Sequence, residues 1–114
     1  MAVANLFDAQ YVYLTATGRK SGLRRQVEIW FVEHEGRIYI LAEHGDKAHW
    51  VKNVMANSAV KIKINDRQWK GTGRVLDAER DAQLYTKVRE LSRTKYGWGD
   101  GLPVECRLDR AILE

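Results

Sequence analysis

One cysteine, Cys106, and one proline, Pro103, stand among 114 residues. A lone cysteine excludes an internal disulfide and fits a reducing cytoplasm. A lone proline leaves no proline-rich spacer, and no repeat or low-complexity stretch interrupts the chain. The apolar runs are only a few residues long, so no helix is expected to span a bilayer. Residues 1–10 carry no basic side chain and no long apolar stretch, so no secretory signal is read there. Several catalytic patterns are missing too. No GxSxG elbow and no evident Ser/His/Asp set occurs. No GxGxxG opens a helix, and the Walker spacing GxxxxGK[ST] is absent. An enzyme with so little side-chain chemistry has to borrow its reactivity from a cofactor.

What is present is ordinary for a folded chain: 45% hydrophobic and 30% charged residues, with a net charge of +4. The length fits one domain, 1–114, with one proper core. The positive balance suits an anionic partner: a nucleic acid, a phosphorylated cofactor or an acidic membrane surface. Single-stranded nucleic acid calls for aromatics interleaved with cations on one sheet face. The strand carrying Lys61 and Lys63 has no such aromatic, which ranks nucleic acid last.

Strand signals dominate. Residues 11–15 form a β-branched and aromatic run, and 17–24 form a glycine-containing basic loop. Runs at 27–33 and 37–42 flank Glu35-Gly36, a hairpin signal. In 59–64, Val60, Ile62 and Ile64 alternate with Lys61 and Lys63, so the apolar three are expected inside and the lysines outside. Asn65-Asp66 turns the chain into 68–76, where Gly71 and Gly73 suggest a bulge or close approach. Val104, Cys106 and Leu108 alternate again. Helices are expected over 47–56, capped by Asp46, and over 78–96, capped by Asp77 and stopped by Gly97. The pattern is that of an α+β, mainly β domain. Six or seven antiparallel strands would close into a small barrel and leave no open edge, with the first helix over one mouth and the second packed outside.

The segment Thr17-Gly18-Arg19-Lys20-Ser21-Gly22-Leu23-Arg24-Arg25 holds four cations and two glycines. Glycine lets amides turn toward a ligand, Arg presents a planar fork and Lys a mobile charge. On pattern alone it is either a solvated basic turn or a phosphate cradle. His44, Asp46 and His49 lack a recognised metal spacing and read better as residues shaping a helix start. Trp50 is a core residue or a cofactor wall. Asn53 is poorly placed in a helix unless it has a hydrogen-bonding duty. Tyr96, Trp98 and the glycines at 97, 99 and 101 form either a lid or a turn with buried aromatics. Cys106 points into an expected core face, which argues against a nucleophile.

The runs LTATGRKSGLRRQVEIWFV, GRIYILAEHGDKAHWVKNVMANSAVKIKI and TKYGWGDGLPVECRL together resemble the deazaflavin-dependent nitroreductase family. The resemblance covers about 11–108. It implies a split β-barrel, a homodimer, and an oxidoreductase that moves hydride from a deazaflavin (coenzyme F-420) to a small organic acceptor such as a quinone, enone or nitro compound. It implies a cofactor site of Gly18, Arg19, Lys20, Ser21 and Arg25, with His44, Trp50 and Asn53 beside the cofactor. It names no catalytic side chain and no metal. FMN in the same basic loop, or a non-catalytic cofactor-binding module, remain the alternatives. Glu43 and Ser58 depart from the family pattern.

Overall fold

The computed structural model describes residues 6–113. The strands are β1 Val12–Thr17, β2 Arg24–Ile29, β3 Val32–His34, β4 Arg37–Ala42, β5 Ala59–Ile64, β6 Arg67–Val75 and β7 Leu102–Ile112. All pair antiparallel in one sheet of order β2-β1-β5-β6-β7-β4-β3. The helices are α1 His49–Ala56 and α2 Ala82–Tyr96. β5 has the expected polarity: Val60, Ile62 and Ile64 are buried, Lys61 is half-buried and Lys63 exposed. Its inner residues join Leu14, Ile40, Val51, Val54 and Val104 in the main core. α1 packs inside the curl against β1 and β6, whereas α2 packs outside against β3, β4 and β7. The result is a curled half-barrel.

The expected run over 27–33 is two strands, not one. β2 and β3 are the opposite edges of the sheet, and only Trp30 and Phe31 separate them. The chain can leave the ladder here because α2 satisfies the corner's backbone. The Phe31 N–H donates to Tyr96 Oη at 3.1 Å, and the Phe31 carbonyl accepts from Lys95 Nζ at 3.1 Å. Tyr96 Oη also lies 2.7 Å from the carbonyls of Gln10 and Phe31, which share its one proton. Lys95 Nζ donates further to the Phe7 and Ala9 carbonyls. Among the described residues, the two edges therefore do not pair with each other and the sheet is not closed.

The helix starts also differ from expectation. Residues 45–47 form a separate 3-10 turn with Gly45 at φ 59°, and extended Ala48, not Asp46, precedes α1. α2 begins at Ala82. Asp77 instead caps the turn over 78–81 that leads directly into α2, where its Oδ1 accepts from the amides of Glu79 and Arg80. Gly97 stops α2 as expected, at φ 78° with its N–H on the Arg93 carbonyl. Glu35 and Gly36, both at positive φ, make the β3–β4 turn. The register of β6 against β7 shifts between Lys70 and Gly71, the expected bulge.

Candidate functional site

The basic segment is a tight hairpin loop between β1 and β2. The Gly18 N–H donates to the Leu23 carbonyl at 2.7 Å, the Gly22 N–H to the Gly18 carbonyl at 2.8 Å, and the Leu23 N–H to Ser21 Oγ at 3.1 Å. Gly22 adopts φ 73°, a conformation that favours glycine. A Cβ on Gly18 would sit 2.8 Å from Ser21 Oγ, so the loop closes on a bare backbone.

α1 holds this loop in place. Asn53 Oδ1 accepts from the Arg19 N–H at 3.1 Å and from Arg19 Nη1 at 2.8 Å. Asn53 is only 5% exposed. The hydrogen-bonding duty expected of a helical asparagine is thus real, and its partner is the loop. Lys20 and Arg25 make no ion pair among the described residues.

Gly18, Arg19, Lys20, Ser21 and Arg25 line a cavity of about 440 Å³ with His49, Trp50 and Asn53. Among the described residues no carboxylate lines it. Arg25, Val27 and Ile29 form the inner face of β2, opposite Ala16, Leu14 and Val12. Those β1 partners are fully buried, yet Val27 and Ile29 are only half-buried and Arg25 is exposed. A slot therefore lies open between β2 and α1. Trp50 lines this cavity and also a second one, of about 590 Å³.

The second cavity lies between the ends of β2 and β4. Trp30, Trp50, Trp98, Ile29 and Leu41 give it apolar walls, while Glu28, Glu43 and His44 supply its polar groups. Trp30 is stacked on Tyr96, with ring centroids 4.4 Å apart and planes 4° from parallel. His44 thus stands apart from the loop residues and Asn53, at the apolar end, where it shares a cavity with Trp50. The segment after α2 is a packed turn and not a lid. A Cβ on Gly101 would lie 2.8 Å from the Trp98 ring and 2.9 Å from the Ala42 carbonyl.

Sequence reasoning assigned His49 only a place at a helix start and Trp98 only a lid or a turn, and it missed Val27, Trp30 and Glu28. Period-two alternation along 25–29 was the available signal for the inner face of β2. Nothing local announces that Trp30 and Trp98 meet, because their approach depends on the curl of the sheet. Cys106 takes no part. It is fully buried on β7, and burial, with Glu105 beside it, pushes its thiol up to about 12.

The lining fits a long anion with an aromatic end: cations at one end of Trp50, two further indoles at the other. The model of a family described as F420H(2)-dependent quinone reductase matches residues 2–106. A solved F-420-H2 dependent reductase is 28% identical, with 91% of this chain and 98% of that one covered at a TM-score of 0.66. A structure described as a domain-swapped dimer is also 28% identical, covering 85% and 78% at a TM-score of 0.61. An FAD-binding protein from Mesorhizobium loti shares the fold at a TM-score of 0.74 and 11% identity, over 93% and 86% of the two chains. Among curated proteins none matches. The family model spans the loop, α1 and the start of β7, so the chain belongs to the coenzyme F-420-dependent quinone reductase family and is a deazaflavin-dependent oxidoreductase.

Proposed function

We propose that the two cavities form one trough for coenzyme F-420, with the cofactor's phosphate at the loop and its ring system beside Trp50. The observation that carries this reading is the junction at Trp50 of a carboxylate-free cationic cavity and an apolar one. Lys20 and Arg25, unpaired by any described carboxylate, bind the phosphate, and Gly18 and Ser21 close the loop that presents them. Arg19 shares its guanidinium between the anion and Asn53, and so sets the loop against α1. Trp50 forms the wall along which ring and tail divide. His44 stands at the ring end with Trp30 and Trp98.

Bound in this trough, reduced F-420 supplies a hydride. The indole walls exclude water from the ring end and offer a flat apolar surface to an acceptor. A small quinone suits that surface best, and the family's description favours it over an enone or a nitro compound. Residues 1–114 act as one cofactor-binding domain. Two copies pair as a homodimer, a reading supported by the similar structure described as a domain-swapped dimer. The cytoplasm, where a buried free thiol such as Cys106 persists, is its compartment.

Binding measurements test the loop assignment. Tryptophan fluorescence follows titration of F-420 and of FMN into the wild type, Lys20→Ala and Arg25→Ala. A charge-assisted hydrogen bond contributes about 1.5–3 kcal/mol, so each variant is expected to raise Kd about ten- to a hundredfold while melting normally. Unchanged F-420 affinity in both variants would remove the phosphate from this loop. Tight FMN binding without F-420 binding would change the cofactor.

A further inference from the structure

His49 opens α1 and lines the cationic cavity, and the reading above gives it no task. Its ring Nδ1 lies 3.4 Å from Arg19 Nη2. A guanidinium nitrogen only donates, so the imidazole nitrogen facing it has to be the accepting one. The ring proton then sits on Nε2. Arg19 is fixed from its other side by Asn53 Oδ1, and its Nη1 lies 3.5 Å from the His49 carbonyl. Positions 49 and 53 are one turn apart on α1, so one guanidinium spans both and defines where the ring nitrogens point. Among the described residues, the charged side chains that line the cavity with the ring are all cationic. Arg19 and Lys20 face it from the loop and Arg25 from β2, while Lys52 on α1 and Lys47 on the preceding turn flank it in the chain. The nearest carboxylate in the chain, Asp46, does not line the cavity.

We propose that His49 is a further ligand of the cofactor's anionic end, a neutral Nε2–H donor whose tautomer Arg19 sets. This rests on the cavity holding that anionic end. A neutral donor adds a directed hydrogen bond to the phosphate without adding a further cation to a crowded set. It also gives Arg19 a second duty, since the guanidinium that pins the loop orients the imidazole as well.

The test has a part that needs no cofactor. Ring-nitrogen chemical shifts of the ligand-free protein near pH 8 are expected to show His49 with Nε2 protonated, and Arg19→Ala to yield a mixture of tautomers. Titrations then use F-420 and the same deazaflavin chromophore without its phosphate. His49→Ala is expected to weaken F-420 binding about tenfold and leave the phosphate-free chromophore unaffected. His49→Gln, which keeps a side-chain N–H, is expected to recover most of the loss. A wild-type ring protonated on Nδ1 overturns the proposal. So does full F-420 affinity in a folded His49→Ala while Lys20→Ala binds weakly. Full affinity in the Lys20, Arg25 and His49 variants together would overturn the cavity assignment and this proposal with it.

Discussion

Asn53 and Cys106 are both buried polar side chains with opposite meanings. Asn53 sits in the interior of α1, where its amide competes with the helix backbone. The two N–H groups it accepts from Arg19 offset that cost and fasten the loop. The misfit was legible in the sequence, because an asparagine amid an apolar helical stripe needs a partner. The partner, 34 positions away, was not. Cys106 was legible in full: its alternation on β7 placed it inside, and the structure leaves its thiol neutral in the core. Cys106→Ser is therefore expected to keep turnover within a few-fold and to lose about 1–3 kcal/mol of stability, the cost of a poorly satisfied buried hydroxyl. Urea denaturation and steady-state assays read the two effects separately. A folded, cofactor-loaded serine variant without turnover would return the thiol to the mechanism.

β5 and the end of α2 obeyed their local signals, whereas the 27–33 run and the helix starts did not. In β5 one face was strictly apolar, and a slip of one residue would have turned three buried side chains outward. At the close of α2, Gly97 occupies the left-handed region at φ 78°, and a Cβ there would meet nothing within 4 Å. The cost of Gly97→Ala is thus purely conformational. It is expected to be about 1–2 kcal/mol, seen as a lower urea midpoint at unchanged slope. An unshifted midpoint would show that the helix end relaxes freely. Between β2 and β3 the sequence reads as one extended run because Val27 to Val32 all suit a strand. What divides it is the set of hydrogen bonds that Lys95 and Tyr96 bring from α2, more than 60 residues further on.

The titrating groups of the whole fold define a pH range for stability. Hydrogen bonds hold the carboxyls of Asp77, Asp81 and Asp109 below the usual value, from backbone amides at Asp77, from the Asp77 amide and then Arg74 at Asp81, and from Thr72 and then Arg107 at Asp109. Their contribution is present above about pH 4 and is lost as pH falls through the lowered folded values. At the other end, burial and then the hydrogen bond to Glu105 push the Tyr39 phenol up, burial pushes Tyr96 up, and the Cys106 thiol reaches about 12. These groups favour the fold below about pH 9–10, and their contribution is lost as pH rises, because the unfolded chain ionises first. Lys95 works the opposite way, since burial holds its ammonium below the usual value. Stability is expected to be flat between about pH 5 and 9 and to fall on both sides. Tyr39 is 3% exposed and donates to Glu105 Oε2 at 2.9 Å, so Tyr39→Phe is expected to be less stable at neutral pH and to have a shallower alkaline slope. Denaturation midpoints across pH for both proteins check this. Parallel alkaline slopes would exclude Tyr39 as a source of the decline.

Local chemistry settled most of the elements. Period-two alternation chose the inner faces, glycine and asparagine chose the turns, and the cluster of cations on a glycine loop suited an anion without excluding a solvated turn. These features depend on neighbours a few residues apart, which a linear chain displays. The curl of the sheet settled the rest. It brought Trp30, Trp50 and Trp98 to one cavity, moved His44 away from the loop, and put Asn53 and His49 against Arg19. Those meetings depend on how far seven paired strands twist before their edges approach. That angle is fixed by packing between elements distant in the chain, and no short window of residues encodes it.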